Sequence, residues 1–502
     1  MLNYDYNNLH STARPNLRSI QRGKIMFVGR ETELQTLEEL YSKISFQMAV
    51  IYGRRRVGKT TLISKFTEKK PVVFFSAQEA NDNTNLRLFS RALYDYFQIS
   101  HTFPPFANWN DAFDFVAEKA KGERFILVMD EFPYAVGVNK ELKSLLQNTI
   151  DHKLKDTNLF IILCGSHVGF MEDEVLGYKS PLFGRRTAQL NIHGFDYLDA
   201  SKMLSCYDAE DLVRLYACVG GTPQYLSQID TEKSVEGNLA DLFFRTAGYL
   251  YDEPLMLLKQ ELREPAMYNS IIAAIAGGAS RLNDIATRVG AERSTVIKYL
   301  DTLLNLKLLR KEYPFGDNPA KSRKGVYTIA DNCYRFWFRY VFPERTAIEQ
   351  GVGKEALDIA LRDINRYIGK PFEDICYQYM IRKNIQRGLP FVFTRSGRWW
   401  GNNKETKSQD EVDLVLSSSD NKNIILAECK WRNDVKDVSA LDVLMNKASL
   451  FDHYEHKYYY LFSKVGFSDQ CRKLAEHHKN VELINLAGLF DKADIQRAPQ
   501  RL

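Results

Sequence analysis

The sequence has no C-x-x-C pair. Its seven cysteines, Cys164, Cys206, Cys218, Cys333, Cys376, Cys429 and Cys471, are scattered. That spacing argues against both a zinc site and a disulfide framework, and a reducing compartment is the simplest assumption. No apolar run approaches the ~20 residues needed to span a bilayer. The first residues, MLNYDYNNLHSTARPNLRS, lack the apolar stretch of a secretory signal. The expectation is a cytoplasmic protein that does not meet the membrane. Internal repeats and low-complexity tracts are also missing. Neither sign of charge dominates: 68 Lys and Arg face 63 Asp and Glu, and the net charge of +5 admits nucleic acid as a partner without requiring it. At 502 residues the chain is long enough for about three domains.

Against these absences one motif is complete. Gly53-Arg54-Arg55-Arg56-Val57-Gly58-Lys59-Thr60 reads G-x-x-x-x-G-K-[ST]. Such a loop wraps backbone N–H groups around phosphates. Lys59 then reaches the β- and γ-phosphates and Thr60 puts a hydroxyl on Mg²⁺. The loop lies between an apolar run at 46–52 (FQMAVIY), suited to a buried strand, and a helical start at 60–67 (TTLISKFT) that includes Thr61 and points its positive end at the phosphates. A phosphate loop needs an acidic partner. Residues 125–131 (FILVMDE) supply one: Asp130 to hold the metal and Glu131 to orient or activate the attacking water. Ser166 follows another apolar strand, where it can sense the γ-phosphate. Arg185 and Arg186, in SPLFGRRT, are candidate arginine fingers or ordinary surface charges.

Further buried-strand candidates lie at 71–76, 124–130 and 158–164, alternating with helices, a pattern that predicts a parallel sheet covered on both faces. An amphipathic helix is expected over 31–42, and helices over 195–265. From 268 to 330 the order helix, helix, turn at Gly290, helix, two short strands predicts a winged helix-turn-helix. Its recognition helix, 294–306, is expected to turn Ile297, Leu300 and Leu304 inward. Arg293, Thr295, Lys298 and Tyr299, with Arg323 and Lys324 near the wing, are left for DNA, or the whole unit serves as an internal packing module. The aromatic run YRFWFRYVF at 334–342 is expected to be buried between domains rather than to stack bases.

Together Val28-Gly29-Arg30-Glu31, the GRRRVGKT loop, the Val128 to Glu131 acidic motif, SPLFGRRT and Gly220-Gly221-Thr222-Pro223 resemble the archaeal-type ATPase family, relatives of the AAA+ and STAND NTPases. The resemblance implies ATP as cofactor, with Arg30 and Pro223 near the adenine and ribose and Pro223 in the G-x-P element of a helical lid.

A second constellation lies near the end. Glu428-Cys429-Lys430 sits in the apolar strand IILAECKW, where Glu428 and Lys430 share one face. Charges in a central strand are costly without partners or metal. Asp413, near the start of the strand DEVDLVL, is brought beside Glu428 by a hairpin. Glu373, after Gly369-Lys370-Pro371-Phe372, offers a third carboxylate. This set resembles the PD-(D/E)xK nuclease superfamily, with Val412 where the nominal proline stands. The resemblance implies Mg²⁺ on Asp413 and Glu428, and Lys430 positioning a water for phosphodiester hydrolysis. A nuclease fold that only binds or docks DNA remains the alternative.

The expected architecture is α/β: a flexible basic arm (1–24), a P-loop ATPase sheet (25–194), a helical lid (195–265), a winged helix with aromatic linker (266–345) and a restriction-endonuclease-like domain (346–502). The expected partners are ATP and DNA, with a homo-oligomer if Arg185 or Arg186 acts across a subunit contact. A slow, STAND-like oligomerising switch is a third reading.

Overall fold

The computed structural model describes residues 27–262, 264–403, 407–436 and 438–490; the expected basic arm lies outside the described residues. Five strands, β1 (Gln47–Tyr52), β2 (Val72–Ser76), β3 (Ile126–Asp130), β4 (Phe160–Gly165) and β5 (Ala188–Asn191), form one sheet in the order β2-β3-β4-β1-β5. Every pairing is parallel. β1, β3 and β4 are buried at every residue, the result expected for strands covered on both faces. The C-terminal ends of β1 and β3 therefore emerge at the same end of the sheet, on either side of β4. There the phosphate loop follows β1, and Glu131 follows β3.

Helices then dominate from Tyr197 to Glu261, among them Ala209–Val219, Pro223–Leu226 and Glu253–Glu261. Three more, Pro265–Ala276, Leu282–Val289 and Arg293–Asn305, precede an antiparallel ribbon of β6 (Leu309–Glu312) and β7 (Val326–Ile329). The aromatic run is buried as expected, with Phe336, Trp337 and Phe338 at 0–1 % exposure. The phase of the 293–305 helix is a correction. Its inward face is Val296, Leu300 and Leu303, whereas Ile297 is 39 % exposed. Leu304, expected inward, is only half-buried, and Tyr299, expected free, packs edge-on to Tyr268 at 4.7 Å.

A 33-residue helix, Gly353–Ile385, carries the chain to the last unit. It runs straight through Pro371, so Gly369-Lys370-Pro371 is not a helix start. The helix continues past the amide missing at Pro371. The second sheet follows: β8 (Arg395–Asn403), β9 (Ser408–Ser417), β10 (Asn423–Lys430), β11 (His456–Ser463) and β12 (Val481–Asn485), in the order β12-β11-β10-β9-β8. β8, β9 and β10 pair antiparallel, and β10, β11 and β12 parallel. β10 is central, as its apolar residues require.

Candidate functional site

The phosphate loop is shaped by its two glycines. Gly53 (φ 154°) passes so close to the strand-end chain that a Cβ there would lie 2.1 Å from the Ile192 carbonyl oxygen, and Gly58 (φ 89°) caps the Lys59–Thr67 helix. Lys59 is 6 % exposed. Its Nζ donates to the carbonyl oxygens of Gly53 and Arg54, each at 2.9 Å. Burial lowers its pKa; nearby Cys164, Glu131 and Asp130 pull the other way. Thr60 Oγ1 donates to Asp130 Oδ2 at 3.2 Å, and the Glu131 amide donates to Asp130 Oδ1 at 3.0 Å. The donor set fits a triphosphate and a divalent cation. The ammonium has neutral oxygens as its hydrogen-bond partners, and the hydroxyl and carboxylate already face each other as two ligands of one ion do.

Glu131 adopts a left-handed conformation (φ 49°). Its carboxylate is held by Ser166: the hydroxyl bonds Oε1, and the amide donates to Oε2 at 3.2 Å. In this structure Ser166 thus restrains the acid expected to activate water. Arg185 makes a bidentate pair with Asp151 (3.0 and 2.6 Å) and donates to the Pro181 carbonyl at 2.7 Å. It is anchored in its own unit. Arg186 lies over the Phe183 ring at 5.9 Å, beside that exposed side chain.

Arg30 and Pro223 converge on the loop from the other side. Arg30 donates to the Val57 carbonyl at 3.0 Å and to that of His193, and its guanidinium covers the Phe195 ring at 4.8 Å. Pro223 Cγ lies 3.9 Å from where a Cβ on Gly58 would be. Gly221 accepts from the Phe195 amide at 2.7 Å. A cavity of about 360 Å³, bordered by Val57, Gly194, Phe195, Thr222 and Tyr225, opens here. A second, of about 520 Å³, is bordered by Arg55, Glu131, Tyr134 and Ser166.

The sequence reading missed what the three loop arginines do. Arg55 donates to the Tyr134 hydroxyl at 2.7 Å. Arg56 pairs with Glu253 (2.9 Å) and bonds the Tyr249 hydroxyl. Arg54 pairs with Asp331 at 2.9 Å, 277 residues away, and covers the Tyr334 ring at 5.1 Å. No local pattern marks partners at such separations; the only hint was three consecutive arginines where the motif asks for none.

Asp331 lies just past β7, so one end of the ribbon touches the phosphate loop. The other end leads to the C-terminal sheet. The Phe315 amide donates to the Arg398 carbonyl at 2.7 Å, and Arg398 pairs with Glu312 (3.5 Å) and Glu373 (3.4 Å). A cavity of about 840 Å³ between ribbon and β8 is bordered by Phe315, Trp399, Arg398, Glu373 and Asp413. Arg310 and Asp374 border both this cavity and the 360 Å³ one. Burial alone would raise the Asp374 pKa, yet Arg310 (2.6 Å) and Arg335 (3.3 Å) bring it down to about 2.

Asp413 and Glu428 come together across β9 and β10, where Ala427 pairs with Leu414. Asp413 Oδ2 accepts from the Cys429 amide at 2.8 Å. Lys430 Nζ bonds Glu428 Oε1 and lies 4.0 Å from Asp413. Burial, then the Glu428 charge, raises the Asp413 pKa; two crowded carboxylates of this kind fit a cation. Glu373 is spoken for by Lys370 (2.8 Å) and Arg398. Among the described residues no three acidic, histidine or cysteine side chains converge as a metal group; Glu373, expected as a third carboxylate, faces these two cations. An unexpected neighbour, Lys447, bonds Glu428 from its far side at 3.4 Å.

Sheet order, glycine loop and acidic partner define a phosphate-loop ATPase fold. Residues 27–229 match the model of an ATPase domain predominantly from Archaea, and residues 337–441 one of archaeal and bacterial proteins of unknown function. An uncharacterized protein of Methanocaldococcus jannaschii is 32 % identical over 450 residues, 88 % of this chain and 96 % of its own. The chain belongs to this archaeal-type ATPase family. An uncharacterized ATP-binding protein of the same organism is 48 % identical over 50 residues, 10 % of this chain and 85 % of its own. Among solved structures, the Walker-type ATPase of Pyrococcus abyssi is similar at 21 % identity and a TM-score of 0.45, covering 62 % of this chain and 96 % of that one. The described residues contain no helix long and apolar enough to cross a membrane.

Proposed function

We propose that the chain is a Mg²⁺-dependent ATPase switch whose nucleotide state is transmitted to a DNA-binding and DNA-cleaving C-terminal half. The observation that carries the ATPase reading is Lys59, a buried ammonium resting on two loop carbonyls. Lys59 exchanges those partners for phosphate oxygens, which restore the stabilisation that burial removes. Thr60 and Asp130 would hold the cation, which when bound would neutralise phosphate charge. Glu131 leaves Ser166 to orient the attacking water and accept its proton. Arg30 and Pro223 enclose the base side. Arg186, rather than the anchored Arg185, is the residue to reach a neighbouring subunit.

The switch is transmitted through the ribbon. Phosphate drawn against Arg54 competes with Asp331 for the same guanidinium. Loosening of that pair frees the β7 end, and the opposite end covers the cavity beside Asp413. DNA meets the exposed Arg293 and Lys298 and the wing residues Arg323 and Lys324, contacts that give salt-dependent affinity with little sequence selection. Cleavage is assigned to Asp413, Glu428 and Lys430: the carboxylates would hold a divalent cation that activates the phosphodiester, and the lysine would position the water. Supercoiled plasmid incubated with Mg²⁺ or Mn²⁺, with and without ATP, tests this half. Nicking is expected, and nicking that persists in Glu428→Ala removes the assignment. A second reading, a nuclease fold that only binds DNA, is favoured by one observation: Glu428 is already neutralised by two ammonium groups.

A further inference from the structure

Lys447 opens the short turn Lys447–Phe451 that follows the Val438–Asn446 helix. Its side chain is only 10 % exposed. A buried ammonium is costly unless its three N–H bonds are satisfied. Here two hydrogen bonds and one further ion pair, all to oxygen, surround it. Nζ donates to the Glu411 carbonyl oxygen at 2.6 Å, and lies 3.3 Å from Asp410 Oδ1 and 3.4 Å from Glu428 Oε2. Asp410 is itself fixed, since its Oδ1 accepts from the Glu411 amide at 2.9 Å and its Oδ2 from Asn403 at 3.2 Å.

Two carboxylates and one main-chain carbonyl, all oxygen and all pointing at one centre, are the donors a hard divalent cation takes. The centre shares Glu428 with the Asp413 side: one Glu428 oxygen faces Lys447, and the other faces Lys430 near Asp413. Glu428 thus bridges two adjacent cation positions, the arrangement by which two-metal phosphodiesterases hold both ions.

The geometry points to Lys447 as a built-in cation that fills the second of two metal positions, so that the C-terminal site takes a single divalent ion and holds Glu428 in place without a second. This rests on the proposed reading of Asp413 and Glu428 as metal ligands. Lys447 is then a positioning residue: it fixes Glu428 through one oxygen and leaves the other for the metal side.

Mn²⁺ binding to the full-length, nucleotide-free chain, followed by electron paramagnetic resonance, tests the assignment. Lys447→Met empties the three-oxygen position while keeping most of the side-chain volume. The expected result is one more bound Mn²⁺ per chain than in the unaltered protein, lost again in Asp410→Asn/Lys447→Met. Lys447→Arg, which keeps the charge, leaves the stoichiometry unchanged. Equal stoichiometry in the unaltered chain and Lys447→Met overturns the inference, even when both bind an ion that Asp413→Asn removes and the metal-site reading survives. An unaltered chain that binds nothing at Asp413, with Lys447→Met gaining one ion, keeps the second position and sinks the metal-site reading instead. Should Lys447→Met be poorly folded, the melting temperature decides. Millimolar Mn²⁺ is expected to restore it toward that of the unaltered protein, and a variant that Mn²⁺ fails to rescue counts against the proposal.

Discussion

At the nucleotide end of the chain an ammonium rests on two neutral carbonyl oxygens; at the C-terminal end a carboxylate is pressed between two ammonium groups. Lys59 and Glu428 are both buried, yet their partners differ in kind. In the proposed reading Lys59 gives up weak neutral partners when phosphate arrives, so the site is poised for an anion. Glu428 must share full charges, so a cation entering there competes with the protein's own. The difference teaches why one motif announces its ligand and the other does not. A site whose charge lacks a counter-charge advertises the missing partner; a site that is already neutral hides it.

The comparison is broken most severely by removing the exchangeable lysine. Lys59→Ala is expected to lower ATP turnover by at least about a hundredfold, the scale of losing one preorganised charge donor; steady phosphate release measures it. Glu131→Gln separates chemistry from binding: turnover falls by a similar factor while ATP still binds, because the Glu131 carboxylate is hydrogen-bonded to Ser166 rather than to the loop. At the other end, Asp331→Asn should weaken the link between the sites. Nucleotide-dependent hydrogen exchange in residues 312–319 is expected in the unaltered chain and absent in the variant, with turnover changed only a few-fold.

Acidity sharpens the contrast further. Lys59 has a lowered pKa in the free protein, and bound phosphate favours its charged form. ATP affinity should therefore be level near neutrality and fall as pH rises through that lowered value, where binding must take up a proton. Asp413 has a raised pKa, so Mn²⁺ affinity at the C-terminal site should climb with pH as that carboxyl ionises. Calorimetry across pH measures both slopes, and they have opposite signs. The smallest effect concerns the fold. Leu300→Ala should cost about 2–5 kcal/mol, and Ile297→Ala within about 0.5 kcal/mol, by chemical denaturation. Equal losses would restore the inward Ile297.

Much of this was legible because it is local. Apolar runs located β1 to β4, three of them ending at a glycine or an acid, and the helix at 31–42 has the bounds its pattern predicts. The Glu428–Lys430 pair follows from strand alternation alone. What stayed hidden depends on distance in sequence or on phase. Arg54 finds Asp331 across 277 residues, and Lys447 reaches Glu428 across 19; neither pairing leaves a periodic trace. Ile297 was misplaced because a short amphipathic helix fits two phases about 100° apart, and the tertiary contact chose Val296. The helix that carries Glu373 extends back through Pro371 to Gly353, a length no local pattern marked.

Calorimetric titration of Mg²⁺-ATP into the full-length chain bears most directly on the lysine cradle. The account predicts saturable binding of one nucleotide per chain that disappears in Lys59→Ala. Identical heats from both proteins, or none from the unaltered one at millimolar nucleotide, would contradict it.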